Sequence, residues 1–326
     1  MKSKQVAADV SALFRARNPV LWIITREEAR AERHIFAAAE MAKMDYRAHD
    51  IAQGVSDIAG KVYGQAVGDG AEVLNMIASA ARQTGSEAKR CVWVLRDAHQ
   101  YLSGPLAMPA QRMLRNLARM LPSMPLASAQ AVVVLTPESN VPAELAGHVT
   151  IIEWPLPDRE EIAELLTSAL SVVPEEMRTL TDEQRNAAID AAVGLSGEEA
   201  SACYARSLVQ RRKVEADIVA TEKKRVVTAS RVIEWYDPIP GGLDAVGGYK
   251  VLKRWLNEHK AAHTAAARAY GLPVPKGIML VGVSGCGKSL TAKCAATAYG
   301  IPLLRLDLGG LSSKFVGESE ANLRKA

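Results

Sequence analysis

Short apolar runs alternate with longer amphipathic stretches along the first half of the chain. Residues 19–25 read Pro-Val-Leu-Trp-Ile-Ile-Thr, the length and unbroken hydrophobicity of a strand buried on both faces. Residues 91–95, 131–135 and 149–152 repeat that character. Between these runs, residues 27–43, 73–82 and 111–121 are rich in good helix formers. Strands alternating with helices predict an α/β fold, a parallel sheet with helices on both faces.

At residue 158 the pattern changes. Residues 158–170, 181–193 and 197–213 read as successive helices without an intervening strand. Asp158 ahead of Glu160 and Glu161 suits a helix N-terminus, where acids face the positive end of the dipole. Residues 1–157 are thus expected to be one α/β module, and residues 158–230 a small all-helical lid subdomain. Pro238, Pro240, Gly241 and Gly242 then predict a linker over 231–245. A second α/β module is expected over 246–326. It has a helix at 249–270, a buried strand at 277–281, a helix at 288–299 and a strand at 302–308.

A length of 326 residues is too great for one ordinary core and makes two domains the default. No apolar run approaches the roughly 18 residues of a membrane span, and the polar N-terminus lacks the apolar segment of a secretory signal. A cytoplasmic protein without membrane contact is expected. Cys91, Cys203, Cys286 and Cys294 are scattered and form no C-x-x-C pair, which points to reduced thiols rather than disulfides or zinc. The net charge of +4 is below that of a dedicated nucleic-acid binder. Arg211-Arg212-Lys213 and Lys223-Lys224-Arg225 could touch phosphate, but Glu215, Asp217 and Glu222 among them favour solvated helical faces. His259 and His263 are four apart with no acidic partner, so an exposed helix is expected there rather than a metal site.

One segment carries chemistry. Gly282-Val283-Ser284-Gly285-Cys286-Gly287-Lys288-Ser289 fits G-x-x-x-x-G-K-[ST] in full, between a predicted strand and a predicted helix. Glycines let such a loop wrap closely and turn several backbone N–H groups toward an anion. The following helix points its positive end the same way. Lys288, the candidate catalytic residue, brings a mobile cation to the β- and γ-phosphates. Ser289 brings a hydroxyl ligand for Mg²⁺. The expected ligand is ATP with Mg²⁺, held by residues 282–289 and by Leu290 at the start of the helix. Cys286 at the loop's tip is either a redox-sensitive thiol or a small tolerated residue.

The flanks narrow the reading. Asp244-Ala245-Val246-Gly247-Gly248, then Tyr270-Gly271-Leu272-Pro273-Val274-Pro275-Lys276-Gly277, lead into the loop. Leu311-Ser312-Ser313-Lys314-Phe315-Val316-Gly317-Glu318-Ser319-Glu320 follows it. Over about residues 240–326 this resembles the AAA branch of the AAA+ ATPases. By that resemblance Val246 and Gly247 contact adenine. Lys314, Phe315, Val316 and Gly317 form a pore loop that grips a threaded chain, the alternative for Phe315 being an ordinary core aromatic. Residues 19–230 resemble a degenerate module of the same family. Arg26-Glu27-Glu28-Ala29-Arg30 stands where a phosphate loop would be, without glycines and with acids that repel phosphate. Arg96-Asp97-Ala98-His99 stands where a Walker B strand would end in Asp-Glu. The whole plan resembles the two-module AAA proteins encoded as a conserved reading frame in plastids and cyanobacteria, although the Lys314-Phe315-Val316 loop is nearer to threading AAA proteins. Residence in the plastid stroma is the corresponding alternative to the cytoplasm.

The resemblance implies a homo-oligomeric ring, a hexamer being the candidate count, that uses ATP turnover to remodel a macromolecular partner, most simply a protein. A nucleotide-gated scaffold with little hydrolysis and a DNA-associated loader are the alternatives. In this family the residues that complete hydrolysis lie downstream of the pore loop, and the sequence ends at Ala326 before them. The chain is therefore expected to be a fragment or truncated product of an ATPase, itself inactive and weak in binding ATP.

Overall fold

The computed structural model describes residues 2–104, 107–229, 233–263, 267, 270–272 and 276–306. The chain divides into two compact units, residues 1–220 and 221–326.

The first unit opens with α1 (Ser3–Arg15), β1 (Val20–Ile24), α2 (Glu28–Met41), β2 (Asp45–Asp50) and β3 (Gly54–Ser56). It continues with α3 (Gly70–Ala81), β4 (Cys91–Arg96), α4 (Met108–Met120), β5 (Gln130–Thr136) and β6 (Thr150–Glu153). The strands form a sheet in the order β3-β2-β4-β5-β1-β6. It is parallel throughout except for β3. β1 lies inside it, with Trp22 opposite Val134 on one side and Ile151 on the other.

The period-two geometry of a strand divides the apolar runs between two cores. Trp22, Trp93, Leu95, Val132 and Val134 pack with Leu74 and Ile77 of α3 and with Leu114 and Leu117 of α4. Leu21, Ile23, Val92, Val94 and Val133 pack with Val6, Val10 and Phe14 of α1 and with Ile35 of α2. Burial on both faces is why these strands read as continuous apolar runs. Each such buried side chain contributes about 1.5–3 kcal/mol.

Three elements of this unit differ from the sequence reading. α1 occupies the N-terminal stretch read only as polar, because Val6, Val10 and Phe14 recur at helical spacing and all face α2. β2 and β3 extend the sheet beyond β4. β2 is Asp-Tyr-Arg-Ala-His-Asp, too polar to register as a strand. Its polar groups find partners instead: buried His49 hydrogen-bonds the Ala66 carbonyl through Nε2 at 3.0 Å, and the Arg47 guanidinium lies over the Tyr63 ring at 4.8 Å.

The helical segment consists of α5 (Arg159–Ser171), α6 (Glu175–Arg178), α7 (Asp182–Ala192) and α8 (Gly197–Arg211). Three of these begin with reciprocal capping boxes, Asp158 with Glu161, Thr181 with Gln184, and Ser196 with Glu199. Each satisfies backbone donors that a helix start leaves unpaired. Ile162, Leu166, Ile189, Ala200 and Tyr204 are buried in this segment, with the Tyr204 hydroxyl donating to the Ala188 carbonyl at 3.2 Å. α9 (Ala216–Ala229) follows.

The second unit contains β7 (Ile233–Tyr236), α10 (Lys250–His259), α11 (Lys288–Tyr299) and β8 (Leu303–Leu306). Its small core joins Leu243, Val246, Leu256 and Cys294. Three expectations need correction here. Part of the stretch read as linker is strand: β7 pairs antiparallel with β8, Trp235 opposite Leu304. Its Ile-Glu-Trp-Tyr sequence favours a strand, and the Pro and Gly residues that signal a linker begin only at 238. The apolar run 277–281, read as a buried strand, has no strand partner among the described residues. Met279 and Val281 are 87% and 85% exposed. An apolar run predicts burial, but a strand also needs neighbours for its N–H and C=O groups. The helix expected at 249–270 ends at His259 and passes into a 3₁₀ turn, Lys260–His263. There His259 stacks on Trp255 at 3.9 Å and donates from Nδ1 to the Trp255 carbonyl at 2.8 Å.

Among the described residues no helix is long and apolar enough to cross a membrane, and no group of three or more His, Cys, Asp or Glu is placed to hold a metal ion. Several cations of the basic runs are paired: Lys213 with Glu215 at 2.8 Å, Arg225 with Glu222 at 3.1 Å and Lys224 with Asp237 at 2.7 Å.

Candidate functional site

The glycine-rich loop of the second unit runs from Gly282 to Gly287 and ends in α11. Gly285 and Gly287 have φ of +80° and +89°, left-handed conformations that cost a side-chain-bearing residue about 1–2 kcal/mol. Gly287 is also the N-cap of α11. A methyl group at Gly282 would meet the Cys286 Sγ at 2.9 Å. At all three positions the motif therefore has a steric reason.

Lys288, Ser289 and Leu290 are the first residues of α11, so their N–H groups lack carbonyls one turn back. The first turn is pinned by Thr291, whose backbone N–H and buried hydroxyl both donate to the Gly287 carbonyl at 2.9 Å. The Lys288 side chain folds back over the loop. Its Nζ donates to the carbonyls of Gly282 at 2.9 Å and Val283 at 2.7 Å, and lies 3.7 Å from the Cys286 Sγ. The Tyr249 hydroxyl donates to the Cys286 carbonyl and so braces the loop from the start of α10. Tyr249 and Thr291 are positioning residues that motif reading passes over. Neither belongs to the glycine pattern.

The fit to a polyphosphate with Mg²⁺ can be tested on this geometry. A Cβ built at Gly285 meets nothing within 4 Å, and one at Gly287 meets only the Tyr249 ring, at 3.8 Å. The loop's surface is therefore open. Ser289 is exposed at the first turn, with a hydroxyl of the kind Mg²⁺ accepts. The Lys288 ammonium is held by two loop carbonyls and the Cys286 sulfur, partners that a phosphate oxygen outcompetes by charge. The residues fit the ligand.

The Cys286 thiol is held below its usual value, first by the Tyr249 hydroxyl, against the opposing effect of desolvation, and then by the Lys288 ammonium. Val246, expected at the adenine, is only 4% exposed. Its side chain packs with Leu243, Leu256 and Cys294. Gly247 is exposed. An apolar cavity of about 590 Å³, lined by Tyr249, Leu252, Trp255 and Ile278, lies beside these residues. Lys314, Phe315, Val316 and Gly317 lie outside the described residues.

In the first unit the turn from Thr25 to Glu27 likewise leads into a helix, running from β1 to α2, with different chemistry. No glycine stands in the turn, and Glu27 is buried. At the end of β4, Arg96 is held by Glu32 at 2.7 Å and by Asp50 at 3.2 Å. Asp97 beside it has a positive φ of 51°.

Comparison with known proteins finds family matches along much of the chain. The family model described as "SpoVK-like AAA ATPase, N-terminal domain" matches residues 6–154, and the one described as "SpoVK-like AAA ATPase, second domain" matches 160–230. The model described as "ATPase family associated with various cellular activities (AAA)" matches 278–326. The "Uncharacterized AAA domain-containing protein ycf46" of Guillardia theta is 30% identical over 321 residues, 97% of this chain and 60% of that protein. The ycf46 protein of Trieres chinensis is 29% identical over 325 residues, again 60% of its length. The "ATPase family gene 2 protein" of Saccharomyces cerevisiae is 37% identical over 83 residues, 24% of this chain and 11% of that protein. The chain thus spans about 60% of the length of the ycf46 relatives. Its α/β sheet, its glycine-hinged loop and these matches together make it a member of the AAA+ ATPase family, resembling ycf46.

Proposed function

We propose that residues 282–290 bind the phosphates of ATP with Mg²⁺, and that this chain carries the nucleotide-binding part of an AAA motor that remodels a protein partner. Membership of the AAA ATPase family supports ATP-dependent activity in general. The observation that carries the reading is the loop hinged at Gly285 and Gly287, with the Lys288 ammonium turned back onto it.

In this reading the backbone N–H groups of the loop and of the first turn of α11 face the phosphates. Lys288 exchanges its two carbonyl partners for phosphate oxygens, and Ser289 contributes its hydroxyl to Mg²⁺. Gly247 lets a base approach the backbone closely, while Val246 acts through the core behind it. The bound metal ion supplies charge neutralisation to the phosphates. Residues 1–157 are the degenerate module, 158–230 its helical lid, and 246–326 the P-loop module. A ring of identical subunits and a pore loop at 314–317 complete the proposal, with a cytoplasmic or stromal location.

The test is Lys288→Ala in the full-length protein, read by titration of a fluorescent ATP analogue with and without Mg²⁺. Mg²⁺-dependent binding in the parent and a loss of at least about 100-fold in the variant are expected, as for removal of a charge-assisted phosphate contact. Equal binding by the two proteins would refute the assignment.

A further inference from the structure

A buried ion cluster ties the helical segment to the sheet of the first unit. At its centre is Arg30 of α2, 7% exposed. One guanidinium nitrogen donates to the Glu27 carboxylate at 2.7 Å and to the Pro155 carbonyl. The other donates to the Ser3 hydroxyl at 2.8 Å and reaches Glu161 at 3.4 Å. The Ser3 hydroxyl in turn donates to Glu161 at 2.8 Å, and His34 Nε2 lies 3.0 Å from the same carboxylate. Glu27 completes the circuit by accepting the backbone N–H of Gly197.

Two helix starts therefore converge on the arginine. Glu161 closes the capping box of α5. Gly197 is the first residue of α8, and its N–H is one of the donors a helix leaves unpaired. Glu27 supplies an acceptor from a segment 170 residues away. The fit at the glycine is tight, since a Cβ there would stand 3.0 Å from the Glu27 Oε1 and 3.4 Å from Leu165. Burial pushes the Glu161 carboxyl up, but the hydrogen bonds from Ser3, from the Asp158 N–H and from His34, with the charge of Arg30, outweigh it and hold it low. The cluster thus holds the Glu161 carboxylate ionised where it caps α5.

We propose that this Glu27–Arg30–Glu161 cluster is a built-in latch. It fixes α5 and α8 to the turn after β1 with the protein's own charges, so the helical segment and the sheet move as one body without nucleotide. Like the glycine loop of the second unit, which leads into α11, the turn it uses leads into a helix. There a charged group of the chain itself, rather than a ligand, joins the sheet to the helices. The inference stands on the first unit alone and does not depend on nucleotide binding by the second.

Hydrogen exchange of the whole chain tests it. Glu27→Ala removes the acceptor and one carboxylate. Gly197→Ala leaves every charge in place and displaces the carboxylate by contact alone, and its mild chemistry keeps the test open if the first variant folds poorly. Both are expected to speed exchange at amides 197–200 by tenfold or more, with β4 and β5 unchanged. A third arm adds Mg²⁺-ATP to Lys288→Ala, and unchanged protection of α5 and α8 is expected. Unaltered exchange at 197–200 in both variants, or a uniform rise across the sheet, would overturn the latch. Protection of α5 and α8 by ATP in the third arm would overturn its nucleotide independence.

Discussion

The turn after β1 and the loop before α11 each lead into a helix, and their charges are arranged oppositely. In the first, a buried arginine is enclosed by carboxylates of its own chain. In the second, a half-buried ammonium rests on two carbonyls beside an open glycine surface. The lesson concerns what a cation is for. Arg30 has its charge satisfied inside the fold, so its removal damages the fold. Lys288 has only weak internal partners, so its removal costs the fold little and the ligand much.

The sharpest way to break that contrast is to neutralise each cation. Arg30→Met leaves Glu27 and Glu161 without their buried partner and should destabilise the first unit by about 3–5 kcal/mol, measured by denaturant unfolding. Lys288→Met should stay within about 0.5 kcal/mol of the parent in the same measurement. Similar costs at the two positions would remove the distinction. A smaller effect sharpens it through sulfur chemistry. Burial pushes the Cys91 thiol up to about 12, and Cys203 and Cys294 are also buried. Cys286 is partly exposed beside a cation. Iodoacetamide at neutral pH should therefore label Cys286 well ahead of the other three, since the thiolate is the reactive form. Mg²⁺-ATP should slow that labelling severalfold. Labelling of Cys91 at the same rate would contradict the described surroundings.

How much of this was legible in the sequence depended on distance along the chain. β1, β4 and β5 announce themselves because burial on both faces leaves no room for polar residues. The loop's hinges are equally local, and the glycines at 285 and 287 carry the positive φ that the motif's spacing implies. β2 escaped because His49, Arg47 and Asp50 each have a partner that hydropathy does not register. The run at 277–281 misled for the converse reason: its apolar side chains predict a strand, but the partners of a strand are not encoded in the run itself. The cluster at Arg30 was read as acids that repel phosphate. Its pairing with Gly197 and Glu161, far along the chain, could not be inferred from local pattern. Acids near the turn were visible, but what they held was not.

The claim beneath all of this is that one unit has kept a place for a triphosphate and the other has filled its place with its own side chains. The most direct measurement is the number of nucleotides bound per full-length chain at saturating Mg²⁺-ATP, by equilibrium dialysis. One per chain in the parent and none in Lys288→Ala is the predicted result. Two per chain, or one that survives the loss of Lys288, would contradict the account.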